Sequence, residues 1–286
     1  MKRSTRFRLL VEAPEILLLP GVHDALTLRL AEQAGFEAVT CGGYAATASL
    51  LGVPDMAQLG MSEMAEMYAR LCDQTELPVF ADADTGYGGT ANVARTVRAF
   101  ERAGVAGLFI EDQLAPKRCG HTRGKQVVAR EEALLRVRAA VDAREQGADV
   151  LILARTDARG PLGLDEALWR GRAFADLGAD IVFVEAPRSE AEMQRICEAI
   201  RAPQLANLVE GGDTPMLPPA RLAALGYRIA AYPLTLLSAA ARAMQDALAA
   251  LARGETPARL LEFAELRELV GFDAYDAALE RYGKDG

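Results

Sequence analysis

Short apolar runs alternate with helix-compatible segments along almost the whole chain, and few folds accept that pattern. The runs are Ile16–Leu19, Ala38–Thr40, Val79–Ala81, Gly107–Ile110, Val150–Ala154, Ile181–Val184, Gln204–Ala206 and Ile229–Ala231. Between them lie Ala25–Ala34, Met61–Cys72, Asn92–Ala103, Arg130–Gln146, Asp165–Leu177 and Glu190–Ile200, rich in Ala, Leu, Glu and Arg at helical spacing. Several of these run into a glycine, at Gly35, Gly104, Gly147 and Gly178, which suits the left-handed residue that closes a helix. Strands that are apolar throughout and separated by helices belong in a parallel sheet buried on both faces. Eight such units point to an α/β fold, a (β/α)8 barrel; fewer would suit a doubly wound sheet.

A length of 286 residues fits one such barrel, so the chain reads as a single domain over 1–286. The long insert Ala45–Gly60 reads as an excursion over the barrel mouth. Beyond the eighth strand, Ser238–Ala252, Pro257–Val270 and Asp273–Tyr282 are all helix-like, more than one barrel unit needs. This extension, about 238–286, is expected to cap the barrel or to pack on another subunit.

A net charge of −8 and a pI near 5.0 argue against nucleic acid and anionic membrane as partners. They leave room for an anionic small molecule at a locally basic site. Cys41, Cys72, Cys119 and Cys197 form no Cys-x-x-Cys pair, which points to neither a disulfide framework nor a zinc site and favours the reduced cytoplasm. The basic start, Met1–Arg8, is followed by Glu12, Pro14 and Glu15, too broken for a secretory signal. No run approaches the roughly 18 apolar residues of a membrane span.

Chemistry in barrels of this kind sits at the carboxyl ends of the strands. Those ends carry His23 and Asp24, then Gly42-Gly43-Tyr44, then Asp82-Ala-Asp84, Glu111-Asp112, Arg155-Thr-Asp157, Glu185, Asn207 and Tyr232-Pro233. Asp82 and Asp84 lie two apart and face one way on an extended segment. With Glu111 they make a cluster of oxygen ligands suited to a hard ion such as Mg²⁺. The alternative is that one Asp caps a helix and the other pairs with a cation. Arg155 is a natural carboxylate clamp, or an ion-pair partner of Glu185 or Asp157; the two are compatible. Gly42 and Gly43 leave main-chain amides bare for a substrate oxygen, or simply make a tight turn. His23 reads as a structural histidine with its hydrogen bonds satisfied. Within Glu111–His121, Lys117, Arg118, Cys119 and His121 place cations and an imidazole beside a thiol. That setting makes Cys119 a candidate proton donor, with Lys117 and His121 beside it, unless the stretch is a solvated basic loop.

Lys117-Arg-Cys-Gly-His121 resembles the gating-loop motif of the isocitrate lyase/phosphoenolpyruvate mutase superfamily. Ala81-Asp-Ala-Asp-Thr-Gly86, Ile110-Glu-Asp-Gln113, Ala154-Arg-Thr-Asp157 and Gly52-Val-Pro-Asp55 resemble its other motifs, in register from about Pro20 to Tyr282. The similarity is greatest to its short-chain methylisocitrate and dimethylmalate lyases. It implies a (β/α)8 barrel with an exchanged terminal helix, a homotetramer built as a dimer of dimers, and a Mg²⁺ site that also accepts Mn²⁺. Asp84 would approach the metal directly, Asp82 and Glu111 would hold its waters, and Asp55 would stand nearby. Gly42, Gly43 and Tyr44 would cover a carboxylate and an oxyanion, Arg155 would clamp a carboxylate, and Glu185 and Asn207 would hold the departing half. Cys119 would protonate the carbanion. Phosphonate mutases carry a different gating loop without this cysteine, so carbon–carbon cleavage is favoured over phosphoryl transfer.

One departure narrows the substrate. Methylisocitrate lyases place an arginine for a third carboxylate where this chain has Ser238, and Arg242 lies one helical turn further on. Losing a cation opposite a desolvated carboxylate costs several kcal/mol. The expected substrate is therefore a 2-hydroxy dicarboxylate with apolar substituents, cleaved to a 2-oxo acid such as pyruvate. Methylisocitrate cleavage and oxaloacetate decarboxylation or hydrolysis are the alternatives.

Overall fold

The computed structural model describes residues 1–118 and 124–283. Eight strands run parallel: β1 Leu17–Pro20, β2 Val39–Cys41, β3 Val79–Asp82, β4 Gly107–Glu111, β5 Leu151–Thr156, β6 Ile181–Val184, β7 Gln204–Asn207 and β8 Tyr227–Tyr232. Seven ladders join them in the order β1-β8-β7-β6-β5-β4-β3-β2. The seam between β1 and β2 is narrowed to a bridge, Gly21 with Thr40, plus the Val22 N–H on the Thr40 carbonyl at 2.8 Å. The result is a nearly closed (β/α)8 barrel, as the alternation predicts.

The helices are α1 Arg3–Glu12, α2 Ala25–Gln33, α3 Gly43–Leu51, α4 Met61–Cys72, α5 Thr90–Arg102, α6 Arg130–Glu145, α7 Arg159–Leu162, α8 Leu164–Asp176, α9 Glu190–Ala199, α10 Pro219–Leu225, α11 Thr235–Ala252, α12 Phe263–Val270 and α13 Phe272–Tyr282. Four of them, α1, α3, α7 and α10, are not foreseen from the sequence. The first seven residues of the expected excursion Ala45–Gly60 are helix: α3 starts on Gly43, with Gly42 as its extended cap. Glycine is a poor interior residue but costs little at the first turn. Helix α10 opens on Pro219 at its first position, where no N–H is required. Conversely, the segment expected as helix from Pro257 becomes helical only at Phe263, where Glu262 and Glu265 form a capping box.

Period-2 alternation splits the barrel residues into two sets. Leu17, Leu19, Phe80, Phe109, Leu151, Leu153, Ile181, Phe183, Leu205, Ile229 and Ala231 fill the barrel interior. Val39, Val79, Ala81, Leu108, Ile110, Ile152, Ala154, Val182 and Val184 pack outward under the helices. Helix α1 joins the interior set through Phe7 and Val11, one turn apart, with the Phe7 ring stacked on Phe80 at 5.3 Å. Arg3 anchors α1 by donating to the carbonyls of Cys72, at 2.8 Å, and Thr75.

The chain forms two compact units, Met1–Leu236, which holds the barrel, and Leu237–Gly286. Within the second unit, Ala250 and Leu269 are buried. No described helix is long and apolar enough to cross a membrane.

Candidate active site

The interior alternation continues past the top apolar layer and decides which side chains enter the site. Phe80 leads to Asp82, Phe109 to Glu111, Leu153 to Arg155, Phe183 to Glu185 and Leu205 to Asn207, each two residues on. All five line one cavity of about 90 Å³, together with Gly42, Gly43, Tyr44, Asp55 and Lys117. Asp84 lies on the far side of Lys117 and lines a neighbouring cavity. The structure thus brings Gly42, Gly43, Tyr44, Asp55, Asp82, Glu111, Lys117, Arg155, Glu185 and Asn207 to one cavity, with Asp84 behind the lysine, whereas His23, Asp112 and Asp157 do not line it. Cys119 and His121 lie outside the described residues.

Lys117 Nζ is the hub of the acidic side. It donates to Asp55 Oδ2 at 2.7 Å and stands 2.7 Å from Asp84 Oδ1, a close ion pair without hydrogen-bond geometry. Asp82 Oδ2 accepts the Gly43 N–H at 2.7 Å and its Oδ1 accepts the Asp84 N–H at 2.9 Å. Asp82 therefore ties the ends of β2 and β3 together. Gly43 is required here: a Cβ would sit 3.1 Å from both Asp82 Oδ2 and Lys117 Nζ. Asp84 and Tyr87 hold left-handed φ values of 49° and 58°, a conformation costing on the order of 1–3 kcal/mol each and found mainly where function requires it.

Lys117 is itself held from behind. The buried Gln113 amide grips Arg118, donating to its carbonyl at 2.8 Å and accepting its N–H at 2.9 Å. Charge around Lys117 is unbalanced: four buried carboxylates, Asp55, Asp82, Asp84 and Glu111, share the neighbourhood with one ammonium. Burial, with Asp82 adding repulsion, raises the Asp84 carboxyl against the pull of Lys117. Burial likewise raises Glu111 well above the usual range, although Arg155 pulls it down. Burial opposes the charge on Lys117 too, but Asp84, Asp82, Glu111 and Asp55 together outweigh it and raise its pKa.

This donor set fits a particular kind of ion. Among the described residues, no three His, Cys, Asp or Glu side chains close into a ligand cage. Among the described residues Glu111 Oε1 is buried without a hydrogen-bond partner, and the excess of buried negative charge calls for a cation. Hard oxygen donors with room for water suit Mg²⁺, which keeps several of its waters and needs few protein ligands.

Arg155 forms the opposite wall. Its guanidinium contacts Asp157, Glu185 and Glu111 and lies 5.2 and 5.5 Å from the Phe183 and Phe109 ring centroids. Asn207 Nδ2 stands 3.3 Å from Glu185 Oε2. Leu19, Leu205, Val209, Ala231 and Leu234 supply an apolar lining between these polar groups. Tyr44, at the first turn of α3, is half-exposed at the rim.

Sequence reading missed the layer behind the site, formed by the opposite strand parity. Asp112, following Leu108 and Ile110, faces outward and accepts from Thr156 Oγ1 at 2.7 Å and the Asp157 N–H at 2.8 Å. Arg170 of α8 completes it at 3.0 Å. Counting by twos along β4 and β5 is the signal that would have separated Asp112 and Thr156 from Glu111 and Arg155. His23, read as a satisfied structural histidine, is buried, but its Nδ1 has no hydrogen-bond partner among the described residues.

Residues 7–252 match the family described as phosphoenolpyruvate phosphomutase. The chain belongs to the phosphoenolpyruvate phosphomutase family. Within that family it is 44% identical over 277 residues to 2,3-dimethylmalate lyase of Eubacterium barkeri, covering 96% of each chain. Among solved structures of the family, oxaloacetate acetylhydrolase in complex with the inhibitor 3,3-difluorooxalacetate superposes with a TM-score of 0.94. The two are 36% identical over 100% of this chain and 99% of that one. A phosphonopyruvate hydrolase complex with oxalate and Mg²⁺ superposes at 0.88, with 30% identity over 99% of each chain.

Proposed function

We propose that the chain is a Mg²⁺-dependent carbon–carbon lyase that cleaves a 2-alkylmalate-like dicarboxylate to a 2-oxo acid such as pyruvate and a carboxylate. The observation that carries this reading is one cavity with a basic clamp at Arg155, an acidic cluster around Lys117, and an apolar lining between them. The similarity to 2,3-dimethylmalate lyase supports it. Arg155 binds a carboxylate, and the apolar lining receives the alkyl substituents. Asp82, Asp84, Glu111 and Asp55 would hold Mg²⁺ and its waters, and the ion would supply Lewis-acid stabilisation of the oxygen charge that develops on cleavage. The first-turn amides of α3 beyond Gly43 have no helical acceptor, so Tyr44 and its neighbour offer N–H donors to an oxyanion.

A base at the site accepts the 2-hydroxyl proton, the C2 carbonyl forms as the C2–C3 bond breaks, and the electron pair is left on C3 beside its carboxylate. Cys119 donates the proton that quenches this carbanion, with Lys117 and His121 keeping the thiol acidic. Glu185 and Asn207 position the departing half. Lysine and arginine at the site favour anions, and the enzyme works in the cytoplasm as a homotetramer in this reading.

The testing experiment measures pyruvate release from substituted malates and methylisocitrate, and both pyruvate and oxalate release from oxaloacetate, with and without Mg²⁺. Turnover of an alkylmalate that a chelator abolishes is expected. No turnover of any malate would overturn the reading. A second reading, oxaloacetate hydrolysis, is favoured by the likeness to oxaloacetate acetylhydrolase and predicts oxaloacetate as the preferred member of the panel.

A further inference from the structure

Arg155 has more acidic partners than a substrate clamp needs. Its Nε donates to Asp157 Oδ2 at 2.8 Å and its Nη2 to Asp157 Oδ1 at 3.1 Å. Glu185 stands 3.0 Å from Nη2 and Glu111 3.3 Å from Nε. A ligand carboxylate arriving at this guanidinium competes with three buried carboxylates. Asp157 is the strongest rival, because it is fully buried and grips the guanidinium fork with both oxygens.

A second cation changes that balance. Lys125 Nζ lies 2.6 Å from Asp157 Oδ1, the same oxygen that Arg155 Nη2 uses. Its side chain is only 7% exposed, so the pair is shielded from water. Burial pushes the Asp157 carboxyl up, but Arg155 and Lys125 outweigh it and hold it well below the usual range. The Asp157 backbone is pinned as well, through its N–H on Asp112. Neither Lys125 nor Asp157 lines the cavity.

We propose that Lys125 is a positioning residue for the substrate clamp, acting through Asp157. It shares the Asp157 charge, so Arg155 keeps both its orientation and an unspent part of its positive charge for a ligand carboxylate. Without Lys125, Asp157 draws its whole counter-charge from Arg155. The contacts to Asp157, Glu185 and Glu111 use Nε and Nη2. The inference rests on Arg155 being the carboxylate clamp.

The test compares wild type with Lys125→Met, Lys125→Arg and Arg155→Gln. Readouts are kcat and KM for pyruvate release, and the Kd of oxalate by calorimetry in saturating Mg²⁺. Lys125→Met is expected to raise KM and the oxalate Kd on the order of tenfold while kcat changes much less. Lys125→Arg should recover most of that loss. Should the methionine variant not fold, Lys125→Gln takes its place. Wild-type KM and Kd in the neutral variant, or a loss that arginine does not repair, would overturn the positioning role while Arg155→Gln still loses oxalate. Oxalate binding unchanged in Arg155→Gln would instead overturn the clamp, and the role of Lys125 with it.

Discussion

Asp84 holds a left-handed backbone at φ 49°, directly behind the buried Lys117 ammonium. Its neighbours supply rigidity: the Asp82 carboxylate accepts its N–H, and Gly86, at φ 87°, closes the turn against Val93. Residues at this end of a barrel serve chemistry more than stability. Asp84→Ala should therefore abolish turnover while circular dichroism and melting temperature stay near wild type. Retained activity in the presence of a chelator would rule out the metal role. For Cys119 it is acidity that counts. A serine hydroxyl is far weaker as an acid than a thiol, and proton transfer works best from a donor whose pKa lies near the working pH. Cys119→Ser should cost orders of magnitude in alkylmalate cleavage but little in oxaloacetate decarboxylation, since pyruvate enolate collects a proton from solvent. Near-normal cleavage of the malate by this variant would remove the cysteine from the mechanism.

Among the elements, α1 is the one that the barrel cannot easily do without. Phe7 is fully buried in the interior cluster and stacks on Phe80, whose strand carries Asp82. Phe7→Ala should cost about 3–5 kcal/mol in urea unfolding, because the packed barrel floor cannot collapse into the vacated space. A loss under about 1 kcal/mol would show that α1 is a passive cover. Helices α7 and α9 are joined by Arg159, whose fork meets Glu192 at 2.8 and 2.6 Å. The hydrogen bonds from Arg159 lower the Glu192 pKa more than burial raises it. A carboxyl whose folded pKa is depressed adds stability above its unfolded value, about 4.3, and loses it as pH falls through the folded value. Glu192→Gln should thus lower stability by about 0.5–1 kcal/mol at neutral pH, after allowance for screening at this partly exposed pair. The difference from wild type should shrink as the pH drops below about 4. A gap that stays constant with pH would assign the contact to packing rather than charge.

At the scale of the whole molecule, the second unit has little of its own to bury. Phe263 is 74% exposed, Tyr275 64% and Leu260 62%, all within the last two helices or just before them. Exposed apolar area of this kind marks an association surface. Light scattering at micromolar concentration should accordingly report a mass well above the 30.7 kDa of one chain, with four chains as the expected assembly. A mass of one chain would contradict the tetramer. Truncation after Leu236 should lower the mass, and the barrel strands are all retained in such a variant.

The apolar runs alone determined the parallel strands and the barrel, because a strand buried on both faces has no freedom to be anything but apolar. The rim residues were legible for a related reason. Asp82, Glu111, Arg155 and Glu185 interrupt apolar runs at the carboxyl ends, where a charge cannot be core. Helices α3 and α10 were not legible, since glycine and proline at their first turns are turn-formers by composition and helix starters only in place. Tertiary structure also decided which acid meets which cation. Lys117 meets Asp55 across 62 positions of sequence, and Arg170 reaches Asp112 across 58. Pairing of that kind depends on barrel closure and strand parity, which set distances that no local pattern encodes.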